Sequence, residues 1–371
     1  MEDHGNEGNN TAAGSSEKPR VVFNNATLRD AVQHWCSADR TLVEDLCGHI
    51  SAWNTSQVTS MNGLFREQSD FNDDISMWDT SNVTNMNSMF VNASSFNQPI
   101  GQWNLSKVTD LTGMFYEATS FNQPIGQWDV SQVTDMASMF NGAEEFNQPL
   151  DQWNVSKVVC MDSLFDGACS FDQPIGQWDV SHVTSMEGMF REAWVFNQPI
   201  GQWNVSNVTN MCSMFYKAMA FNQPIGQWNV SRVTNMESML HGTLVFNQPI
   251  GKWDVSSVTK MDSMFDYALS FNQPIGQWDV SSVTNMESMF VEASAFNQPI
   301  GQWDVSQVTD VESMFRGAAA FNQPIGQWDV SKAAYMYGMF YETVSFKQPI
   351  GQWDMRDATE MTYIAYTASG I

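Results

Sequence analysis

The sequence predicts an α/β repeat solenoid, with one short parallel strand and one short helix per coil behind a helical N-terminal cap. Three observations lead there. Thirteen tryptophans stand 25 residues apart, from Trp53, Trp78 and Trp103 through to Trp353, with no insertion or deletion in the series. A period of this size marks a solenoid, a propeller or an array. Phenylalanine keeps the same period twelve times, from Phe71 to Phe346. The other recurrent apolar slots accept only neighbours in shape: Leu150 stands for isoleucine, and Leu111 and Val311 for methionine. Core positions tolerate that kind of exchange.

Each element follows in order. Residues 1–20 carry Gly, Asn, Ser and charge with almost nothing to bury, and read as a disordered acidic tail. Residues 21–49 read as the cap that the open end of a first coil requires. Leu28, Val32, Trp35 and Cys36 fall at helical spacing, with Thr27 or Asn25 available as N-cap. Leu42, Val43 and Leu46 continue an apolar face, and Gly48 is a stop signal. Residues 50–371 then form the solenoid, with about 13 repeats.

Residues 271–295, FNQPIGQWDVSSVTNMESMFVEASA, serve as the type coil, and its numbers name the slots. Val283, Met286, Phe290 and Ala293 are 3, 4 and 3 residues apart, the stripe of a helix. Asp279, always Asp or Asn, caps the turn before it. A short strand is placed around Pro274–Gln277, since proline is tolerated where a strand begins. The two sides match in length, at about 1.5 Å per helical residue and about 3.3 Å per extended one. A strand at Met286–Val291 is set aside, because adjacent Met289 and Phe290 would point to opposite faces.

The unit W-D-V-S-x-V-T-x-M-x-x-M-F-x-x-A-x-x-F-N-Q-P-I, as at Trp278–Ile300, resembles the BspA-like leucine-rich-repeat surface proteins. It is similar to repeats of Listeria-type surface proteins, Mycoplasma lipoproteins and some marine microbial eukaryotes. The resemblance runs from Thr27 to Ile371. It implies a leucine-rich-repeat-like solenoid and a role in adhesion or surface binding. The sequence departs from the family in its lack of a recognisable signal peptide, lipid-attachment cysteine and C-terminal sorting motif, so the resemblance leaves the compartment open.

Composition narrows the function. The net charge of −25 opposes phosphate and anionic lipid, so nucleic acid is an unfavourable partner and a protein partner the expected one. No run of apolar residues is long enough to insert in a membrane. Five cysteines follow no repeat spacing, against a disulfide framework, although Cys36 and Cys47 are near enough to pair. The five histidines lack metal-ligand spacing, and no nucleophile elbow, P-loop or dinucleotide fingerprint occurs. No enzyme activity, cofactor or metal site is therefore expected. Glycan or calcium binding stays a minor alternative. The tryptophan series suggests a sugar platform but fits a core stack better. The Asp/Asn series and the outward Glu187, Glu237, Asp262, Glu287 and Glu312 suggest cations but fit capping and a solvated face better. A periodic ligand (a glycan polymer, a mineral or ice surface, or a second copy) would meet the unvaried Asn-Gln-Pro-Ile-Gly face.

Partner contacts are expected where coils differ. Arg191, Trp194, Tyr216, Lys217, His241 and Tyr267 are large residues in variable outward slots. Trp194 stands in a slot that holds Ser, Thr or Ala elsewhere, as at Ser69, Thr119 and Ala319. Beside Arg191 it fits a binding hot spot.

Overall fold

The computed structural model describes residues 21–359. The expected tail, residues 1–20, and the end of the array, residues 360–371, lie outside the described residues. The N-terminal part folds as two helices, α1 (Asn25–Trp35) and α2 (Arg40–Cys47). The N-cap of α1 is Asn24, not Thr27 or Asn25. The Asn24 side chain accepts from the Ala26 and Thr27 amides at 3.0 Å, and Thr27 returns a bond to the Asn24 amide. Asn25 instead fastens the cap to the first coil, its Oδ1 accepting from the amides of Thr59 and Ser60. The apolar stripe Leu28, Ala31, Val32 and Trp35 is buried against that coil. Trp35 donates its indole N–H to Asp73 at 2.9 Å, and Arg40, lying over the Trp35 ring, pairs with the same carboxylate at 2.6 Å. Helix α2 buries only Val43 and ends at Gly48, whose φ of 79° suits glycine.

The solenoid is present, but its coils are built differently from the expectation. Among the described residues, no coil contains an α-helix. Parallel pairing falls in the Asn285 slot, running from Ser60↔Asn85 to Asp310↔Tyr335. Alternate amides cross to the next coil: Met286 to Asp310 O, Ser288 to Glu312 O, Phe290 to Met314 O and Glu292 to Arg316 O, at 2.7–3.0 Å. The intervening amides close tight turns within the coil, as Met289 to Met286 O and Val291 to Ser288 O, both at 3.2 Å. An α-helix would spend all these donors internally and leave the coils unbonded.

Two left-handed residues per coil make the arrangement possible. Slot 288 holds Ser or Gly with φ of 52–60°, and slot 292 is also left-handed, as at Glu292 (φ 53°) and Gly142 (φ 69°). A left-handed non-glycine residue costs about 1–2 kcal/mol, which a helix never incurs but a ladder repeated through the array offsets. The turns also bring adjacent Met289 and Phe290 both inward, where both are fully buried. That answers the objection that had set aside a strand here. The spacing of 3, 4 and 3 residues arises from successive turns, not from a helical stripe.

The Pro274–Gln277 strand is likewise absent, where proline gives no backbone N–H to a ladder. Equivalent rings in successive coils are 5.5–5.8 Å apart in the Phe290 slot. They are 5.8–6.2 Å apart in the Phe271 slot and 6.3–6.5 Å apart in the Trp278 slot. A parallel backbone ladder needs about 4.8 Å. The array therefore bends, with the ladder on its inner side. On the outer side the backbones still touch, since a Cβ at Gly276 would clash with Pro299 O, but proline lacks a donor for a ladder. Side-chain amides join the coils there: Asn97 Oδ1 accepts from the Asn122 amide and from Gln123 Nε2, both at 3.0 Å.

Candidate functional site

The recurrent features resolve first as structure. The periodic tryptophans, Trp53 to Trp353, are at most 7% exposed and stack coil on coil, as Trp128 on Trp153 at 6.4 Å. Each indole N–H from Trp78 to Trp353 donates to a carbonyl of the preceding coil, as Trp228 to Ile200 O at 3.2 Å. No sugar platform is left. The Asp279 slot closes an Asx turn: the Ser281 amide and hydroxyl both donate to Asp279 Oδ1. Those bonds hold the Asp279 carboxyl below its usual range, as their counterparts do for Asp129 and Asp329. The Asn285 slot closes a second Asx turn, in which Asp310 Oδ1 accepts from the Glu312 amide at 2.9 Å. Among the described residues no group of three or more His, Cys, Asp or Glu is placed to hold a metal ion. All five cysteines are free thiols, Cys36 and Cys47 included, and burial pushes Cys36 up to about 11.

The variable slots behave otherwise. In slot 291, on successive coils, Arg191 lies over the Tyr216 ring at 5.2 Å, and Tyr216 stacks on His241 at 4.4 Å with ring planes 12° apart. His241 meets Tyr267 at 6.2 Å in a tilted contact. Lys217, in slot 292, approaches Tyr216 from the same side at 5.1 Å and pairs with Glu192 at 3.3 Å. His241 Nδ1 is 3.2 Å from Asp266 Oδ2, while Asp266 Oδ1 is buried without a hydrogen bond. Coil stacking thus joins Arg191, Tyr216, Lys217, His241 and Tyr267 into one cation–aromatic row. Residues 25 apart in sequence touch because the solenoid makes them neighbours.

Trp194 lies beside that row and is 47% exposed. It is not isolated in its slot, as the comparison with small residues had suggested. The next three coils carry Met219, Leu244 and Leu269 there, with Met219 and Leu269 also exposed. Comparing the slot coil by coil would have found them, since the coils on either side hold Cys169 and Ser294. The backbone under the stripe is fixed, with Ala220 donating to Trp194 O and Ala295 to Leu269 O. Sequence reasoning missed a second row as well. The Thr284 slot is exposed on consecutive coils from Thr184 to Thr309, each hydroxyl donating to the preceding coil's carbonyl at 3.1–3.3 Å.

Asp166, next to Arg191 in the same slot series, has its carboxyl raised to about 6. Burial is the main cause, opposed by Arg191 and reinforced by Glu192 and Glu117.

With this geometry in place, comparison with known proteins locates the chain. The model of the family described as Mycoplasma protein of unknown function, DUF285, matches residues 40–150, 123–218, 184–291 and 270–371. Those matches span most of the sequence, and the chain belongs to that repeat family. No curated protein matches it. Among solved structures, a TLR13–ssRNA13 complex is similar at 10% identity with a TM-score of 0.27, over 88% of this chain and 48% of that one. The chain thus spans about half the length of that protein. No helix among the described residues is long and apolar enough to cross a membrane.

Proposed function

We propose that this protein is a non-catalytic interaction scaffold that binds protein through the face carrying Arg191, Trp194, Tyr216, Lys217, His241 and Tyr267. The observation that carries the reading is the clustering itself. Four successive coils place aromatic, cationic and apolar side chains together on the same outward stretch. Tryptophan, tyrosine and arginine are the residue types that dominate interface energetics. A rigid backbone beneath them limits the ordering cost of binding. Adhesion, the role implied by the resemblance to BspA-like surface proteins, is the setting in which such a face would act. Pull-down with the purified chain tests the reading. Retention of partners should fall at least about tenfold in the Arg191→Ala, Trp194→Ala double variant. Equal retention of every partner by that variant would remove the site.

The exposed threonine row supports a second reading, binding of a periodic ligand. Its hydroxyls are held in one orientation at coil spacing, as a repeating glycan or crystalline surface requires. The Asn-Gln-Pro-Ile-Gly face is less suited, because its Asn and Gln amides already bridge the coils. Glycan-array binding and thermal hysteresis measurements decide it, and silence in both would reject it.

A further inference from the structure

Charge is spread unevenly over the outward slots. Lys107, Lys157, Arg232 and Lys332 all fall in slot 282, and Asn, Gln, Ser or His fill that slot on the other coils from Gln57 to Gln307. No carboxylate enters it before Asp357. Each of the four cations reaches back to a side-chain amide of the preceding coil. Lys107 Nζ donates to Asn82 Oδ1 and Lys157 Nζ to Gln132 Oε1, both at 2.7 Å. Arg232 Nη1 donates to Asn207 Oδ1 at 2.9 Å and Lys332 Nζ to Gln307 Oε1 at 2.8 Å. A neutral acceptor positions a cation without cancelling its charge. Arg40 and Lys217, by contrast, are paired with the carboxylates of Asp73 and Glu192.

Around two of these cations the acidic residues withdraw. On the four coils from Asn154 to Asn235, slots 279, 282, 284 and 285 together hold one carboxylate, Asp179, against Lys157 and Arg232. The next three coils put Asp254, Asp279 and Asp304 in slot 279 and Asp310 in slot 285. The four coils form one surface. The hydroxyls of Thr184, Thr209 and Thr234 each donate to the preceding coil's carbonyl, and slot 285 pairs from Cys160↔Ser185 to Asn210↔Asn235. Slots 279, 282 and 284 flank the buried slots 280 and 283, as at Val230 and Val233, so their side chains open away from the core. Asp162 and Glu187 border the patch but are engaged, Asp162 by the Ser185 hydroxyl and the Glu187 amide, Glu187 by Asn210 Nδ2 at 2.8 Å.

The patch offers donors. Asn154, Asn204 and Asn229 spend Oδ1 on the amides of Ser156, Ser206 and Ser231, each at 3.2 Å, which leaves their Nδ2 groups to face outward. Lys157 and Arg232 stand three coil steps apart, a step being 5.7 Å in the Phe190–Phe215 stack and 6.5 Å in the Trp203–Trp228 stack. Among the described residues these slots expose one large apolar side chain, Val159, which is too little for the apolar core of a protein interface. Nucleic acid carries a phosphate on every nucleotide, and two separated cations on a chain of −25 do not neutralise it. A polysaccharide with acidic groups set apart along its length meets both the separated cations and the amide donors. Charges beyond about 8 Å are screened at physiological salt, so the local patch and not the net charge governs contact.

Extending the periodic-ligand reading, on which it rests, we propose that this patch binds an anionic polysaccharide laid along the array axis. Lys157 and Arg232 each hold a carboxylate or sulfate, and the Nδ2 groups of Asn154, Asn204 and Asn229 donate to sugar oxygens. The threonine hydroxyls, already donating to the backbone, accept from sugar hydroxyls.

The test titrates the full chain into labelled polygalacturonate, dextran sulfate, dextran and polyglutamate, read by fluorescence anisotropy at about 0.15 M salt. Polygalacturonate or dextran sulfate should bind at least about tenfold more tightly than dextran or polyglutamate, and the tighter of the two identifies the acidic group. The Lys157→Gln, Arg232→Gln variant should lose that preference with its circular dichroism unchanged, since both side chains are at the surface. The Lys252→Gln, Lys332→Gln variant makes the same change of charge outside the patch and should keep it. Equally tight binding of dextran or of polyglutamate, no binding of either polyanionic sugar, or a preference no lower in the first variant than in the second would each overturn the inference. The periodic-ligand reading is judged separately. If the polyanions fail while a neutral glycan or an ice surface is bound, only the anionic assignment falls; silence there as well removes both.

Discussion

The inner and outer sides of the array hold the same coils together by different chemistry. On the inner side alternate backbone amides cross from coil to coil, as Ser288 to Glu312 O at 2.8 Å. On the outer side stacked indoles lie up to 6.5 Å apart, and the crossing bonds come from side chains: Asn and Gln amides and the indole N–H. Backbone groups have fixed reach, so they pair only where the coils approach the spacing of a parallel ladder. Where proline withholds the backbone donor, side chains take over. The recurrence of Asn, Gln and Trp on one side and the tolerance for Ser, Gly, Glu or Tyr on the other express the same division. One side is specified by side chains, the other by backbone conformation.

Removing an outer-side bridge should cost most where it is also core. Trp228→Ala deletes a buried ring and its bond to Ile200 O, and about 3–5 kcal/mol of stability should be lost in chemical denaturation. A loss below about 1 kcal/mol would mean that the tryptophan stack does not join the coils. The amide bridges come next. Asn97→Ala leaves the Asn122 amide without its acceptor and Gln123 Nε2 with the Asn97 carbonyl alone, and should cost about 1–3 kcal/mol. Asn97→Asp should cost less, because Asp172 already fills this slot and accepts from the Asn197 amide at 2.9 Å. Similar losses in both variants would show that reach, not acceptor chemistry, has been misjudged.

The inner side is probed by the sign of a glycine exchange. Gly142 has φ 69°, and a Cβ there would approach the Glu117 carboxylate. Gly142→Ala should therefore destabilise by about 1 kcal/mol or more. In a helical coil the same exchange would stabilise by up to about 1 kcal/mol, so thermal melting separates the two architectures by sign alone.

The smallest effect concerns pH. Asp166 binds its proton more tightly folded than unfolded, its carboxyl lying at about 6 against an ordinary 3.8. Its contribution to stability is complete below the ordinary carboxylate range and is lost as pH rises toward about 6. Asp166→Asn should raise the melting temperature at neutral pH and flatten the decline across that interval. The Asx-turn aspartates Asp129, Asp279 and Asp329 act oppositely, since their lowered carboxyls withdraw stability as pH falls below the ordinary range. An unchanged profile in the Asp166 variant would place its carboxyl in open solvent.

Much of this was legible in the sequence. The recurrent Trp, Phe and Ile slots marked the core, and the six large residues in variable slots were singled out one by one. The coil's secondary structure was misread because Val283, Met286, Phe290 and Ala293 satisfy a helical stripe and a series of turns equally well. Only the left-handed conformation of Ser288 and Glu292 separates the two, and serine and glutamate do not announce it. Met219, Leu244 and Leu269 were missed because each is unremarked alone and forms a stripe only when stacked under Trp194.

The sequence by itself determined the period, the residues that face inward and the acidic character of the surface, since composition and spacing set these directly. Tertiary structure decided which side of the coil carries the backbone ladder, and which outward residues share a surface. Both depend on the distance between coils, a property of the curved stack that no single 25-residue unit contains.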